Sequence, residues 1–211
     1  MASAPSGGSR HGPRIFDPQV TRAGLRTLAF SGLSVASAAE HDYFAFYGID
    51  YANRIAGVNH HFGLTEAAGF RIACHYYQLP KARGTCILLH GYFDHAGLYG
   101  HLIEHCLNSG RNVLIWDLPG HGLSSGPQAS IHSVEDYTDV LEAMLELHGA
   151  ELPRPLWAIG QSTGGAILMS WAFRKCRSPT ECPFERMMLL APLVRPAKWY
   201  QVKLLHTLLR P

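Results

Sequence analysis

The chain has 211 residues, 47% of them hydrophobic and 16% charged, and a formal net charge of +2. That length and apolar content suffice to bury a sizeable core as one globular α/β domain. The balanced charge, with no basic run interleaved with aromatics, gives no reason to invoke nucleic acid, and no apolar run approaches the ~18 residues of a membrane-spanning helix.

Residues 1–13, mostly Ser, Gly, Pro, Ala, Arg and His, read as a disordered leader. Leu25 to Ala39 is mildly apolar, follows Arg14 and Arg22, and contains the small-x-small triplet Ala36-Ser37-Ala38. Thr27, Ser31, Gly32 and Ser34 break its apolar core, which argues against a secretory signal and leaves residues 1–40 as a weakly structured leader. A helical or irregular stretch around His41–Arg54 follows. His60–Leu64 and Phe70–Gln78, joined through Glu66-Ala67-Ala68-Gly69, give a hairpin signal. Gly84 opens Thr85–Leu89, an apolar run too short for a helix. A helix is expected at about Leu98–Asn108, a strand at Asn112–Trp116, a glycine-rich loop at Pro119–Gln128, and a helix at Val134–His148 with Ser133 as N-cap. Pro155–Ile159 reads as a buried strand, Gly165–Lys175 as a helix ending in cations, and Arg186–Leu190 as another buried strand. Strand and helix alternate and the strands are almost continuously apolar, which implies a parallel sheet with helices on both faces.

The five cysteines, Cys74, Cys86, Cys106, Cys176 and Cys182, are odd in number and scattered. They read as free thiols of a reducing compartment, so a cytoplasmic location is expected.

Gly160-Gln161-Ser162-Thr163-Gly164 sits between a strand-like and a helix-like run. Strand, sharp turn, helix is the setting of a nucleophile elbow, in which a serine hydroxyl stands clear at a helix N-terminus. The pentapeptide alone is weak, since Gly-x-Ser-x-Gly is expected about 0.14 times by chance in this composition, so its flanks must decide. Gly122-Leu123-Ser124-Ser125-Gly126 matches the same pattern but follows Pro119-Gly120-His121 and runs into Pro127, which marks a loop. Ser162 is therefore the candidate nucleophile and Ser124 a decoy. The bland rival for Ser162 is an ordinary helix N-cap.

The 13 histidines invite a metal reading. The sharpest case is His101-Leu102-Ile103-Glu104-His105, two histidines at i,i+4 on an expected helix in an H-x-x-E-H pattern. No third ligand is evident, so a solvated polar face is the reading, and no metal site is assigned.

Three segments follow three successive strands: His90-Gly91-Tyr92-Phe93-Asp94-His95, Asp117-Leu118-Pro119-Gly120-His121-Gly122, and Gly160-Gln161-Ser162-Thr163-Gly164-Gly165. Ligands of open α/β sheets bind beyond the carboxyl ends of strands, where all three fall. From about Gly57 to Pro196 the chain resembles the α/β-hydrolase superfamily, and within it the bacterial lysophospholipase and monoacylglycerol lipase group. The resemblance implies Ser162 as nucleophile. It also implies the backbone N–H groups of Tyr92 and Thr163 as oxyanion donors, with Gly91 after His90 permitting close backbone approach to the substrate, while Gly160 and Gly164 let the elbow turn tightly. His90 reads as a structural loop residue in preference to a base, Asp94 and His95 as lining the loop, and Asp117 and His121 as bracing it. The implied activity is hydrolysis of carboxylic esters, of lysophospholipid or monoacylglycerol type, through an acyl-enzyme and with no cofactor. A peptidase or other acyl hydrolase of the same fold, or a non-catalytic protein keeping the elbow as scaffold, are the alternatives. The partners implied are a small lipid or ester substrate and transient contact with a membrane surface, with no stable protein partner.

The chain departs from the family after Ser162. The family order is Ser, then an acid, then His, yet only Glu181, Glu185 and His206 follow. Glu181 and Glu185 flank Cys182-Pro183, the wrong place for a triad acid. His206 lies in Trp199–Leu209, an amphipathic stretch that looks like the start of a cap. The expectation is a hydrolase fold truncated before its last strands, with core 41–196 and a cap segment beginning at 197–211. Such a chain, alone, would be inactive for want of the triad Asp and His.

Overall fold

A computed structural model describes residues 16–194, except Leu33 and Pro179. Its centre is a six-stranded sheet of β1 (Asn59–Ala67), β2 (Phe70–Gln78), β3 (Thr85–Leu89), β4 (Asn112–Trp116), β5 (Leu156–Gln161) and β6 (Phe184–Leu190), in spatial order β1-β2-β4-β3-β5-β6. The hairpin β1–β2 is antiparallel, with Ala67 opposite Phe70, and turns through Ala68 and Gly69, both at positive φ. Positive φ at both central residues is the tight-turn geometry whose twist matches the flanking strands. β2 pairs antiparallel with β4, and β4, β3, β5 and β6 run parallel.

β3 and β4 divide their side chains between two cores. Cys86 and Leu88 of β3, with Val113 and Ile115 of β4, meet Tyr43 and Phe44 of α2 (Ala38–Tyr47) and Ile103, Cys106 and Leu107 of α4 (Gly100–Asn108). On the other face Ile87, Leu89, Leu114 and Trp116 meet α5 (Val134–His148) and α6 (Thr163–Lys175). α5 shows why such helices form. Ser133 caps it, its hydroxyl accepting from Glu135 N–H (3.2 Å) while Asp136 accepts from Ser133 N–H (3.1 Å). Tyr137, Val140, Leu141 and Met144 then fall on one buried stripe at helical spacing. Burying each such side chain contributes about 1.5–3 kcal/mol.

Residues 1–40 read from sequence as a leader, but the part from Phe16 onward is built onto the sheet. Asp17 caps α1 (Pro18–Gly24), Leu28 N–H donates to Leu64 O (2.8 Å), and Leu25, Leu28 and Phe30 are buried. The Ala36-Ser37-Ala38 triplet opens α2, with Ser37 as its N-cap. A short helix α3 (Tyr51–Arg54) follows. β6 is one of the two outer strands, at the edge opposite β1. Past Phe184 its residues are exposed, Met187 to Leu190 among them, so an apolar edge faces outward among the described residues. The amphipathic stretch Trp199–Leu209, with His206, lies outside the described residues.

Candidate active site

The chain steps from β3 to β4 on one side, then across to β5 on the other, so the strand order reverses at β3. Open α/β sheets bind ligands outside the carboxyl ends of the strands at such a reversal. Pairing of Leu89 with Gly160 sets the loop after β3 beside the turn after β5.

β5 ends at Gln161 and α6 begins at Thr163, leaving Ser162 to make the whole turn at φ 50°, ψ −109°. A non-glycine residue held there costs about 1–3 kcal/mol, and such strain collects at functional positions. The backbone fixes it on three sides. Ser162 N–H donates to Leu190 O (2.9 Å), and Ser162 O accepts from Ala166 N–H (3.1 Å) and Leu193 N–H (3.0 Å). The half-buried side chain makes no capping hydrogen bond, which sets aside the N-cap reading. The flanking glycines are there for space. A Cβ on Gly160 would lie 2.4 Å from Gly164 O, and one on Gly164 would lie 2.1 Å from Leu89 O.

The loop after β3 is a tight turn in which Asp94 N–H donates to Gly91 O (3.2 Å), with Tyr92 and Phe93 at its corners. Phe93 sits at φ 64°, a position that favours glycine, and is 75% exposed. The Tyr92 hydroxyl donates to Ala129 O, tying the loop to the one after β4. Neither Tyr92 N–H nor Thr163 N–H is bonded within the described residues.

His90 is fully buried. Its Nε2 accepts from Leu118 N–H (2.8 Å), so its proton sits on Nδ1 and is donated to Gly91 O (2.7 Å). Burial pushes its pKa down to about 4, Asp117 opposing, so the ring is a neutral brace. Asp117 accepts from Ala96 N–H and Leu123 N–H, both at 2.7 Å, and His121 Nδ1 meets Pro119 O at 2.9 Å. His95 caps the turn Ala96–Tyr99, accepting from Gly97 N–H (3.2 Å). These four hold loops.

Ser124 is 2% exposed. Its hydroxyl donates to Asp117 O (2.6 Å) and accepts from Ala73 N–H (2.9 Å). Both hydrogen-bonding roles are taken by backbone, so no nucleophile is left there.

His101 and His105 are exposed and Glu104 pairs with Arg54 (3.0 Å). Among the described residues no group of three or more His, Cys, Asp or Glu could hold a metal ion. Glu181 is exposed on the segment entering β6, and Glu185 is exposed on β6 itself. The five cysteines are free. No described helix is long and apolar enough to cross a membrane.

Two features escape sequence reasoning. A cavity of about 710 Å³ opens beside the loop after β3, lined among others by Asp17, Arg22, Phe93, His121 and Gln128. Tyr99 reaches back to Gly91 N–H (3.0 Å), and its hydroxyl also meets Gln161 Oε1 (3.0 Å). The one available signal was the position of Tyr99 at the head of a helix that follows the loop.

Residues 80–210 match the family model described as serine aminopeptidase, S33. A phospholipase, YtpA, of Bacillus subtilis is 30% identical over 93 residues, covering 44% of this chain and 35% of its own. A monoacylglycerol lipase of Mycolicibacterium smegmatis is 29% identical over 113 residues, covering 53% and 39%. The crystal structure of a monoacylglycerol lipase of Paleococcus ferrophilus superposes with a TM-score of 0.53 at 29% identity, covering 66% of this chain and 51% of that one. The chain thus spans well under half the length of the curated relatives it matches.

Proposed function

From the premise that this chain belongs to the serine aminopeptidase S33 family of α/β-hydrolases, we propose that it carries the nucleophile of a serine hydrolase acting on carboxylic esters, of the monoacylglycerol or lysophospholipid type. The observation that carries the reading is the state of Ser162: a strained backbone at a helix N-terminus, holding up a hydroxyl that makes no hydrogen bond among the described residues. Ser162 Oγ attacks the acyl carbonyl. The amides of Tyr92 and Thr163 stabilise the oxyanion, each such donor being worth about 3 kcal/mol or more in the barrier. The Ser162 proton passes to a histidine acting as general base, which returns it to the departing alcohol; water then attacks the acyl-enzyme and releases the carboxylic acid, restoring Ser162. No cofactor takes part.

An apolar substrate is supported by the rim of the crevice. Tyr92, Phe93, Leu190, Leu193 and Val194 are all exposed there, and Leu193 is bonded through its backbone to Ser162. The family description favours a second reading, cleavage of an amide next to a free amino terminus. Turnover of p-nitrophenyl esters of increasing acyl length, set against aminoacyl p-nitroanilides, separates the two. Under the ester reading kcat/KM rises with acyl length, each buried methylene contributing up to ~0.8 kcal/mol. Preference for acetyl over decanoyl esters rejects a lipid substrate. Failure of a fluorophosphonate probe to label Ser162 rejects the nucleophile.

A further inference from the structure

Resting on the reading of Ser162 as nucleophile, we propose that Tyr99 is a positioning residue. Its hydroxyl ties the loop after β3 to the turn after β5 and so fixes the spacing of the Tyr92 and Thr163 amides. Tyr99 belongs to neither loop. It ends the short turn Ala96–Tyr99, yet its hydroxyl accepts from Gly91 N–H (3.0 Å) and lies 3.0 Å from Gln161 Oε1 and 3.2 Å from Asp94 Oδ2. Gly91 directly precedes one oxyanion donor and Gln161 directly precedes the nucleophile, so one oxygen atom touches both halves of the site.

The chemistry of the node is restrictive. A hydroxyl has one proton and two acceptor sites. With the Gln161 amide turned so that its NH2 faces the node, Tyr99 accepts from Gly91 and Gln161 and donates to Asp94, and all three partners are satisfied. Burial pushes the Tyr99 pKa up to about 12, so the proton stays on the oxygen at working pH.

The node works on a peptide already gripped from behind. The carbonyl of Gly91 accepts from His90 Nδ1–H (2.7 Å) and Asp94 N–H (3.2 Å). In a planar trans peptide the N–H of Tyr92 must then point the opposite way. Tyr99 holds the preceding amide, and through Gln161 it holds the neighbouring turn. The end of the Gln161 side chain packs against Gly91, where a Cβ would lie 2.2 Å from its amide.

Interactions that matter only as the oxyanion forms lower kcat and spare KM when lost. Tyr99→Phe keeps the ring and removes the oxygen. In the full-length protein it should lower kcat for a p-nitrophenyl ester about 10- to 100-fold with KM within about twofold. Gln161→Leu should do the same, and the double variant should lose no more than the worse single variant, because both break one tie. Amide hydrogen exchange at Gly91 should rise about tenfold or more in Tyr99→Phe while α5 stays protected. With Ser162→Ala inactive, an unchanged kcat, unchanged exchange at Gly91, multiplying losses in the double variant, or protection lost throughout the chain each overturns the role of Tyr99 alone. Turnover retained in Ser162→Ala, or no turnover in the wild type, overturns the reading of Ser162 and the proposal with it.

Discussion

Gly122-Leu123-Ser124-Ser125-Gly126 and Gly160-Gln161-Ser162-Thr163-Gly164 share one pattern of glycines and serine, and both lie at the carboxyl edge of the sheet. Ser124 is buried, and its hydroxyl serves as a strut between Asp117 O and Ala73 N–H. Ser162 has its backbone held in a costly conformation and its hydroxyl without a hydrogen bond among the described residues. The glycines differ as well. A Cβ on Gly122 would strike the Asp117 carboxylate, whereas one on Gly164 would strike the backbone of β3. Gly122 shapes a loop around the buried Asp117 side chain; Gly164 lets a helix seat on a strand. A serine becomes chemically available only where the fold holds its backbone and leaves its oxygen unspent.

The sharpest way to break this contrast is to delete each oxygen. Ser162→Ala should lower ester turnover by about four orders of magnitude or more, with the melting temperature nearly unmoved. Comparable kinetic losses from Ser124→Ala would erase the distinction. Acid should separate the two regions next. The pKa of His90, whose Nε2 holds Leu118 beside the Ser124 loop, is lowered to about 4 from an unfolded value near 6.5. The unfolded chain therefore takes up this proton first. The stability is fully present above pH 6.5 and is lost as pH falls towards 4, by roughly 3 kcal/mol for this residue. Burial lowers His60 and His75 in the same direction. Urea midpoints at pH 7, 5.5 and 4 should fall in that order, with exchange at Leu118 N–H rising before that in α6; a flat profile would contradict the bracing role. Third, Ser124→Ala should destabilise by about 1–3 kcal/mol because it strands the buried Ala73 N–H, while activity per folded molecule persists. Denaturant titration alongside active-site labelling checks both halves. Smallest is Ser125→Ala. Its hydroxyl accepts from Arg71 N–H (2.8 Å) at an exposed position where water can substitute, so the cost should stay below about 1 kcal/mol.

The parts legible from sequence are those decided by neighbours along the chain. β3 and β4 fall at Thr85–Leu89 and Asn112–Trp116 as their apolar runs indicate, and α5 starts where Ser133 signals. α6 begins at Thr163, two residues before its apolar run, because the elbow allows a single turning residue. Residues 25–30 gave no such signal. Leu28 and Phe30 reach the core because Arg26–Leu28 bonds to Leu64, a contact no local pattern encodes. The site divides the same way. Ser162 parts from Ser124 by its flanks, within a few residues. The contact of Tyr99 with Gln161 crosses 62 positions and exists only once β3 and β5 lie side by side.

That adjacency bears on when the crevice can come into being. β3 and β4 leave the ribosome before β5 and can pair on emergence, with the hairpin β1–β2 alongside, so the loop bearing Tyr92 is framed early. The turn bearing Ser162 arrives later and must dock on the far side of β3, against a strand already flanked on its other edge. Until it docks, Ser162 is a serine in a flexible chain, unstrained and unaccompanied. The geometry at Ser162 therefore waits on strands made after β3 and β4: β5 must seat on β3 and β6 on β5, since Leu190 and Leu193 hold the Ser162 backbone.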